Sequence, residues 1–222
     1  MPKISFFGHA CFQVEHNGQK LLFDPFLTDN PQAAVSADEL QPDYILVSHG
    51  HYDHLGDALD IAKRTGATII TTMDLAAECK KHQVKEHAMN IGVKHYFDFG
   101  FVRTTKALHH AGIGSEACGF IVDLDGFTLH FTGDTSLFGD LKLYGAIEKI
   151  DLLLLPIGGY YTMDIDDAVY AAKLINAKTI IPFHYNTWPL IKADPHEFAE
   201  KVTKNTPSHC IILAPGETVT LS

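Results

Sequence analysis

The segment Ser48-His49-Gly50-His51-Tyr52-Asp53-His54 constrains this chain more than any other. It follows the apolar run 44–47, which reads as a short buried strand, so three imidazoles and a carboxylate are expected at a strand's end. In an extended loop His49 and His51 project to the same side, because side-chain direction alternates with a period of two. They can grip one metal while Asp53 and His54, one turn further on, face a second. Imidazole and carboxylate without thiolate suit Zn, Mn or Fe. With 14 histidines in 222 residues a lone His carries little weight, but the ordered pattern H-x-H-x-D-H after a buried strand does.

The rest of the chain repeats this placement. Strand-like segments 3–7, 10–15 and 19–23 form a meander with a tight turn at Asn17-Gly18, leaving His9 in one loop and Asp24 at the third strand's end. A polar stretch, 28–42, reads as loop with one helical turn near 37–40. Helical spacing over 55–65 stops at Gly66, a strand follows over 67–71, and Asp74 is expected to cap a helix running to about residue 82. Strands within 93–108 end at His109-His110, and a glycine-rich loop, 111–115, precedes strands 117–124 and 127–132. The second of these ends in Gly133-Asp134-Thr135. A helical stripe (Leu137, Leu141, Tyr144, Ile147), a buried strand over 151–155 and a second helical stripe (Ile165, Ala168, Val169, Ala172, Ile175) lead to strand 178–183 and His184. A helix over 195–204 and a strand pair around 210–213 and Val219 close the chain. Strands with interleaved helices in both halves predict an α/β four-layer αββα sandwich, a single domain spanning residues 1–222. Ligand-type residues then sit at one edge: His49, His51, Asp53 and His54, then His109 or His110, then Asp134, then His184.

Charge narrows the partners. A net charge of −10 repels phosphate backbones, which argues against extended nucleic acid, while a metal pair would offset it locally and leave small anionic substrates open. Cys11, Cys79, Cys118 and Cys210 show no C-x-x-C and read as free thiols of a reducing compartment. The start has no charged-then-apolar signal segment and no apolar run is long enough to span a bilayer, so a cytoplasmic protein is expected, with no membrane partner.

The ordered set H-x-H-x-D-H, a lone His, an Asp in a Gly-Asp context and a final His resembles the metallo-β-lactamase superfamily over essentially the whole chain. The segments Gly8-His9-Ala10-Cys11, Asp24-Pro25-Phe26 and 156–163 are most similar to small metal-dependent hydrolases related to ascorbate-6-phosphate lactonase. Asp134 stands where the zinc β-lactamases carry Cys, and His51 where flavodiiron proteins carry Glu, so neither antibiotic hydrolysis nor a di-iron redox site is expected. The resemblance implies two divalent ions, zinc or manganese with iron as an alternative. His49, His51 and His109 would hold one, Asp53, His54 and His184 the other, with Asp134 bridging. His109 is preferred to His110 because it directly ends its strand.

Two ions about 3.5–4 Å apart share a water, lower its pKa toward ~7 and so generate a hydroxide nucleophile. Asp53 is expected to orient that nucleophile or handle its proton. The activity implied is hydrolysis of a small ester, lactone or phosphodiester. A nuclease or cyclic-nucleotide phosphodiesterase, or a non-hydrolytic metal-binding or redox protein, are the alternatives. Relatives of the lactonase type imply a homo-oligomer. His9 is expected near the pocket and Asp24 behind a ligand imidazole. Tyr160, Tyr161, Asn186 and Trp188 are candidate pocket residues on loops after strand ends, and His16, His82, His87, His95, His130, His196 and His209 are read as surface or structural.

Overall fold

A computed structural model of the chain describes residues 1–114 and 116–221; Ser115, the last residue of the expected glycine-rich loop, lies outside the described residues. Strands β1 (Lys3–Gly8), β2 (Cys11–His16) and β3 (Gln19–Phe23) form an antiparallel meander. Its second turn, between β2 and β3, is built on two positive-φ residues, Asn17 and Gly18, as a two-residue hairpin requires. The chain then runs parallel to β3 through β4 (Tyr44–Leu46), α1 (Tyr52–Leu55), α2 (Ala58–Thr65), β5 (Thr68–Thr72), α3 (Met73–Lys81) and β6 (Glu86–Met89).

A second meander follows, β7 (Lys94–Phe97), β8 (Gly100–Lys106), β9 (Cys118–Leu124) and β10 (Phe127–Phe131). A parallel run completes it: α4 (Leu141–Ile147), β11 (Leu152–Pro156), α5 (Ile165–Ile175), β12 (Thr179–Phe183), α6 (Pro195–Asn205) and β13 (His209–Cys210). The last strand, β14 (Thr218–Thr220), returns to pair with β1. The result is two seven-stranded sheets, in the orders β14-β1-β2-β3-β4-β5-β6 and β13-β12-β11-β10-β9-β8-β7. Each is an antiparallel group followed by a parallel one, so β1 and β3 of the first sheet occupy the places of β8 and β10 in the second.

Side-chain alternation assembles the layers. Leu21, Phe23 and Leu46 of the first sheet meet Phe131, Leu152 and Leu154 of the second in the central core, while Leu22, Ile45 and Val47 point the other way with Ile61 and Leu75 of the outer helices. Leu153 and Leu155 do the same beneath Ala168, Ala172 and Phe198. This is the expected αββα sandwich.

Several elements differ from the sequence expectation. The helix expected over 55–65 is split, because Gly56 (φ +40°) turns where a Cβ would stand 2.4 Å from the Pro25 carbonyl oxygen. Thr72, not Asp74, is the N-cap of α3, with Asp74 inside the first turn. The two closing strands lie in different sheets and do not pair with each other. No helix among the described residues is long and apolar enough to cross a membrane.

Candidate metal centre

Six strand ends deliver the candidate residues to one edge of the sandwich: His9 after β1, Asp24 after β3, the 49–54 segment after β4, His109 after β8, Asp134 after β10 and His184 after β12. His9, Asp24 and His184 all have positive φ, backbone that costs a non-glycine residue about 1–3 kcal/mol and is held only where surrounding contacts enforce it. Those contacts tie loops together: the Leu108 amide donates to the Thr135 hydroxyl at 3.0 Å, and the His184 amide to the His9 carbonyl at 2.8 Å.

The side chains converge in two groups, His49 with His51 and His109, and His9 with Asp53, His54 and His184, the donor atoms of each lying within 4.8 Å of one another. In the first, His49 Nε2 stands 2.9 Å and His109 Nε2 3.3 Å from His51 Nδ1. Asp134 lies between the groups, its Oδ2 being 2.9 Å from His184 Nε2, 3.2 Å from His54 Nε2 and 3.7 Å from His109 Nε2. His110 belongs to neither group; its ring lies beside that of His51, with Nδ1 3.3 Å from His51 Nε2.

Hydrogen-bond partners behind these rings settle which nitrogens carry protons. Asp24 accepts from the Ser48 amide (2.7 Å), the Ser48 hydroxyl (2.6 Å) and His54 Nδ1 (2.7 Å). Because the Ser48 hydroxyl donates to Asp24, its oxygen accepts from His49 Nδ1 at 2.9 Å. His110 Nδ1 accepts from the Gly112 amide at 3.2 Å, so it is unprotonated and accepts in turn from His51 Nε2 at 3.3 Å. His49 Nε2 and His51 Nδ1 thus face each other as bare lone pairs, with His109 Nε2 beside them. Nitrogens at such separations repel unless a cation lies between them, and a tetrahedral ion with ~2.0–2.1 Å bonds spaces its ligands by ~3.3 Å. The donor set fits a metal ion. In the second group, buried His54 Nε2 and Asp134 Oδ1 likewise have no hydrogen-bond partner.

Charge states agree. Burial first, with neighbouring imidazoles, lowers the pKa of His49, His51 and His109, and brings His9 down to about 3. Burial works against the ionised forms of Asp53 and Asp134 as well, yet the histidines around them more than reverse it and hold both below the usual carboxylate range. His54 is the exception. Burial disfavours its cation, but the carboxylates of Asp134 and Asp24 outweigh this and push its pKa up. Neutral imidazoles and ionised carboxylates are the ligating forms.

A cavity of about 380 Å³ opens above the cluster, walled by Tyr52, Tyr161, Trp188 and Leu190, with no Lys or Arg among its described lining residues. Tyr161 and Trp188 thus stand where the sequence placed them. Tyr160 does not reach this wall; it is exposed and packs edge-on against Tyr161. Asn186 also faces away, its amide clasping the Ala193 backbone at 3.0 Å in both directions. His130 is buried within β10, away from the cluster. Sequence reasoning missed Gln32 and Thr187, whose partners lie far along the chain, and gave no role to Ser48, which links Asp24 to His49.

Comparison with known proteins agrees with this architecture. The beta-lactamase superfamily domain family matches residues 3–184. The UPF0173 metal-dependent hydrolase of Natranaerobius thermophilus is 45% identical over 99% of this chain and 100% of its own. That of Carboxydothermus hydrogenoformans is 48% identical, with the same coverage. Among solved structures, the metallo hydrolase Igni18 of Ignicoccus hospitalis superposes with TM-score 0.95 at 34% identity, covering 100% of this chain and 98% of that one. An isothiocyanate hydrolase from Delia radicum gut bacteria, at 19% identity and TM-score 0.81 over 99% of each chain, shares the fold. The chain belongs to the beta-lactamase superfamily and, within it, to the UPF0173 metal-dependent hydrolases.

Proposed function

We propose that the protein hydrolyses a small, uncharged ester or lactone at a two-metal centre, with zinc or manganese as the resident ions. The observation that carries this reading is the convergence of unprotonated imidazole nitrogens in one group, linked through Asp134 to a second group of carboxylate and imidazole. Bound there, the ions would lower the pKa of a shared water and polarise the substrate's reacting oxygen. The protein's residues do the rest. Asp53, held ionised, accepts a hydrogen from the attacking water and so orients it. Tyr52, Tyr161, Trp188 and Leu190 enclose the substrate's apolar part and exclude bulk water, in a volume suited to a small molecule.

The wall's lack of Lys and Arg favours esters and lactones over phosphodiesters, because no cationic side chain there would neutralise a second anionic oxygen. Metal-replete turnover of a p-nitrophenyl ester and of bis-p-nitrophenyl phosphate, with His51→Ala as blank, tests this. Metal-dependent release from the ester, faster than from the phosphodiester and lost in the variant, is expected. Faster phosphodiester cleavage would move the assignment to that class, and no release from two-metal protein would overturn the hydrolytic reading. In Asp53→Asn, full activity with both ions bound would remove the orienting role.

A further inference from the structure

His9 is enclosed completely, and two successive positive-φ residues set its position: Gly8 has φ +112° and His9 φ +56°. The segment through Gln32 lies directly on Gly8, where a Cβ would stand 2.7 Å from the Gln32 carbonyl oxygen. Three side chains from distant parts of the chain meet at the imidazole. His9 Nδ1 is 2.7 Å from Thr187 Oγ1, Thr187 Oγ1 is 3.0 Å from Gln32 Oε1, and His9 Nε2 is 3.2 Å from Asp53 Oδ2.

Donor and acceptor roles in this set follow from the main chain. The Gln32 amide is oriented at both ends, because its Nε2 donates to the Tyr185 carbonyl (3.2 Å) and its Oε1 accepts from the His9 amide (3.2 Å). The reversed amide would set two acceptors together at one end and two donors at the other. The Thr187 hydroxyl, with one proton, must donate to Gln32 Oε1; given to His9 instead, that proton would leave two oxygens facing each other at 3.0 Å. Thr187 Oγ1 therefore accepts from His9 Nδ1–H, and His9 Nε2 is turned to the Asp53 carboxylate at 3.2 Å, within the same cluster of donor atoms as His54 and His184. An ion there would take the place of the single proton that otherwise joins Nε2 to the carboxylate. The fold supplies an independent argument. β1 holds in the first sheet the place β8 holds in the second, so His9 is the counterpart of His109, as Asp24 after β3 is of Asp134 after β10.

Resting on the two-metal reading, we infer that His9 is a ligand of the second metal position, alongside Asp53, His54 and His184, and that Thr187 and Gln32 are positioning residues that fix its tautomer. Nitrogen-15 NMR of histidine-labelled protein titrated with zinc alone, with His9 assigned by His9→Asn, reads the proton directly. The expected result is a protonated Nδ1 and an unprotonated Nε2 whose resonance moves on zinc binding. Zinc titration against a chromophoric chelator adds a second readout. Thr187→Val should weaken one of the two ions by roughly 10–100-fold and leave the other unchanged, and Thr187→Ser should restore it.

Two ions in the wild type with a proton on His9 Nε2 would overturn the inference and leave the two-metal reading standing. So would Thr187→Val binding both ions as the wild type does. Saturation at one ion with His9 Nε2 still shifting would keep the ligand assignment and overturn the two-ion reading. Should Thr187→Val fail to fold, the wild-type NMR result decides alone.

Discussion

His54 and His130 are both wholly buried, and their surroundings drive them in opposite directions. His54 lies between the carboxylates of Asp24 and Asp134, which outweigh the penalty of burial. His130 lies against the Thr105 hydroxyl at 3.3 Å, and burial alone brings its pKa down to about 3. In the unfolded chain the same ring titrates near ~6.5. Above that pH both states are neutral and His130 contributes no pH dependence. Between ~6.5 and 3 the unfolded state takes up a proton that the folded state refuses, so stability is lost as pH falls, by up to about 1.4 kcal/mol per pH unit. Denaturant unfolding of metal-free protein between pH 7 and 5 should show a shallower acid limb in His130→Gln than in wild type. Parallel limbs would mean that His130 already takes up a proton in the folded state over this range.

Elements carry the ligands, and one glycine decides how closely two of them meet. Gly50, between His49 and His51, bonds through its amide to the Ala111 carbonyl at 2.8 Å, and a Cβ there would stand 2.1 Å from the Ile113 carbonyl oxygen. The segment after His109 is thus laid on the H-x-H turn itself. Gly50→Ala should lift that segment, separate His109 from His51 and weaken one ion at least tenfold, as read by chelator competition, with the far-UV spectrum unchanged. Unaltered affinity would show that the first group tolerates the displacement.

At this scale the sequence was informative wherever apolar runs ended in His or Asp. The ends of β4, β8, β10 and β12 were legible because a buried strand and its first polar residue leave a sharp boundary. β6 was not, since Glu86, His87 and Ala88 are half-exposed on a sheet edge and carry no apolar alternation. The residues that hold tautomers were not legible either: Thr187 and Gln32 meet across 155 positions, and neither belongs to any local pattern. Tyr160 and Asn186 show the converse, since proximity in sequence to a strand end did not turn their side chains toward the cavity.

Over the whole molecule, neither group belongs to one sheet. The first takes His49 and His51 from the first sheet's loops and His109 from the second's; the other adds His184 to residues of the first sheet. An ion at either position therefore binds the folded state alone, and at a concentration 100 times its dissociation constant stabilises it by about 2.7 kcal/mol. For a chain of this length, saturating zinc should raise Tm by roughly 5–10 °C over chelated protein, and an unchanged Tm would show that zinc does not prefer the folded state to the unfolded chain. The central core seals the two sheets along their length, but at the edge where the strand ends meet, facing lone pairs push apart until an ion arrives. In biosynthesis this sets an order of events. His184 lies beyond four-fifths of the chain, so a growing polypeptide exposes the histidine-rich H-x-H-x-D-H segment long before its last partner exists. Metal capture at the full centre is thus a late step that certifies both halves have docked, and a chain stalled before β12 would release its ions to the first chelator it met.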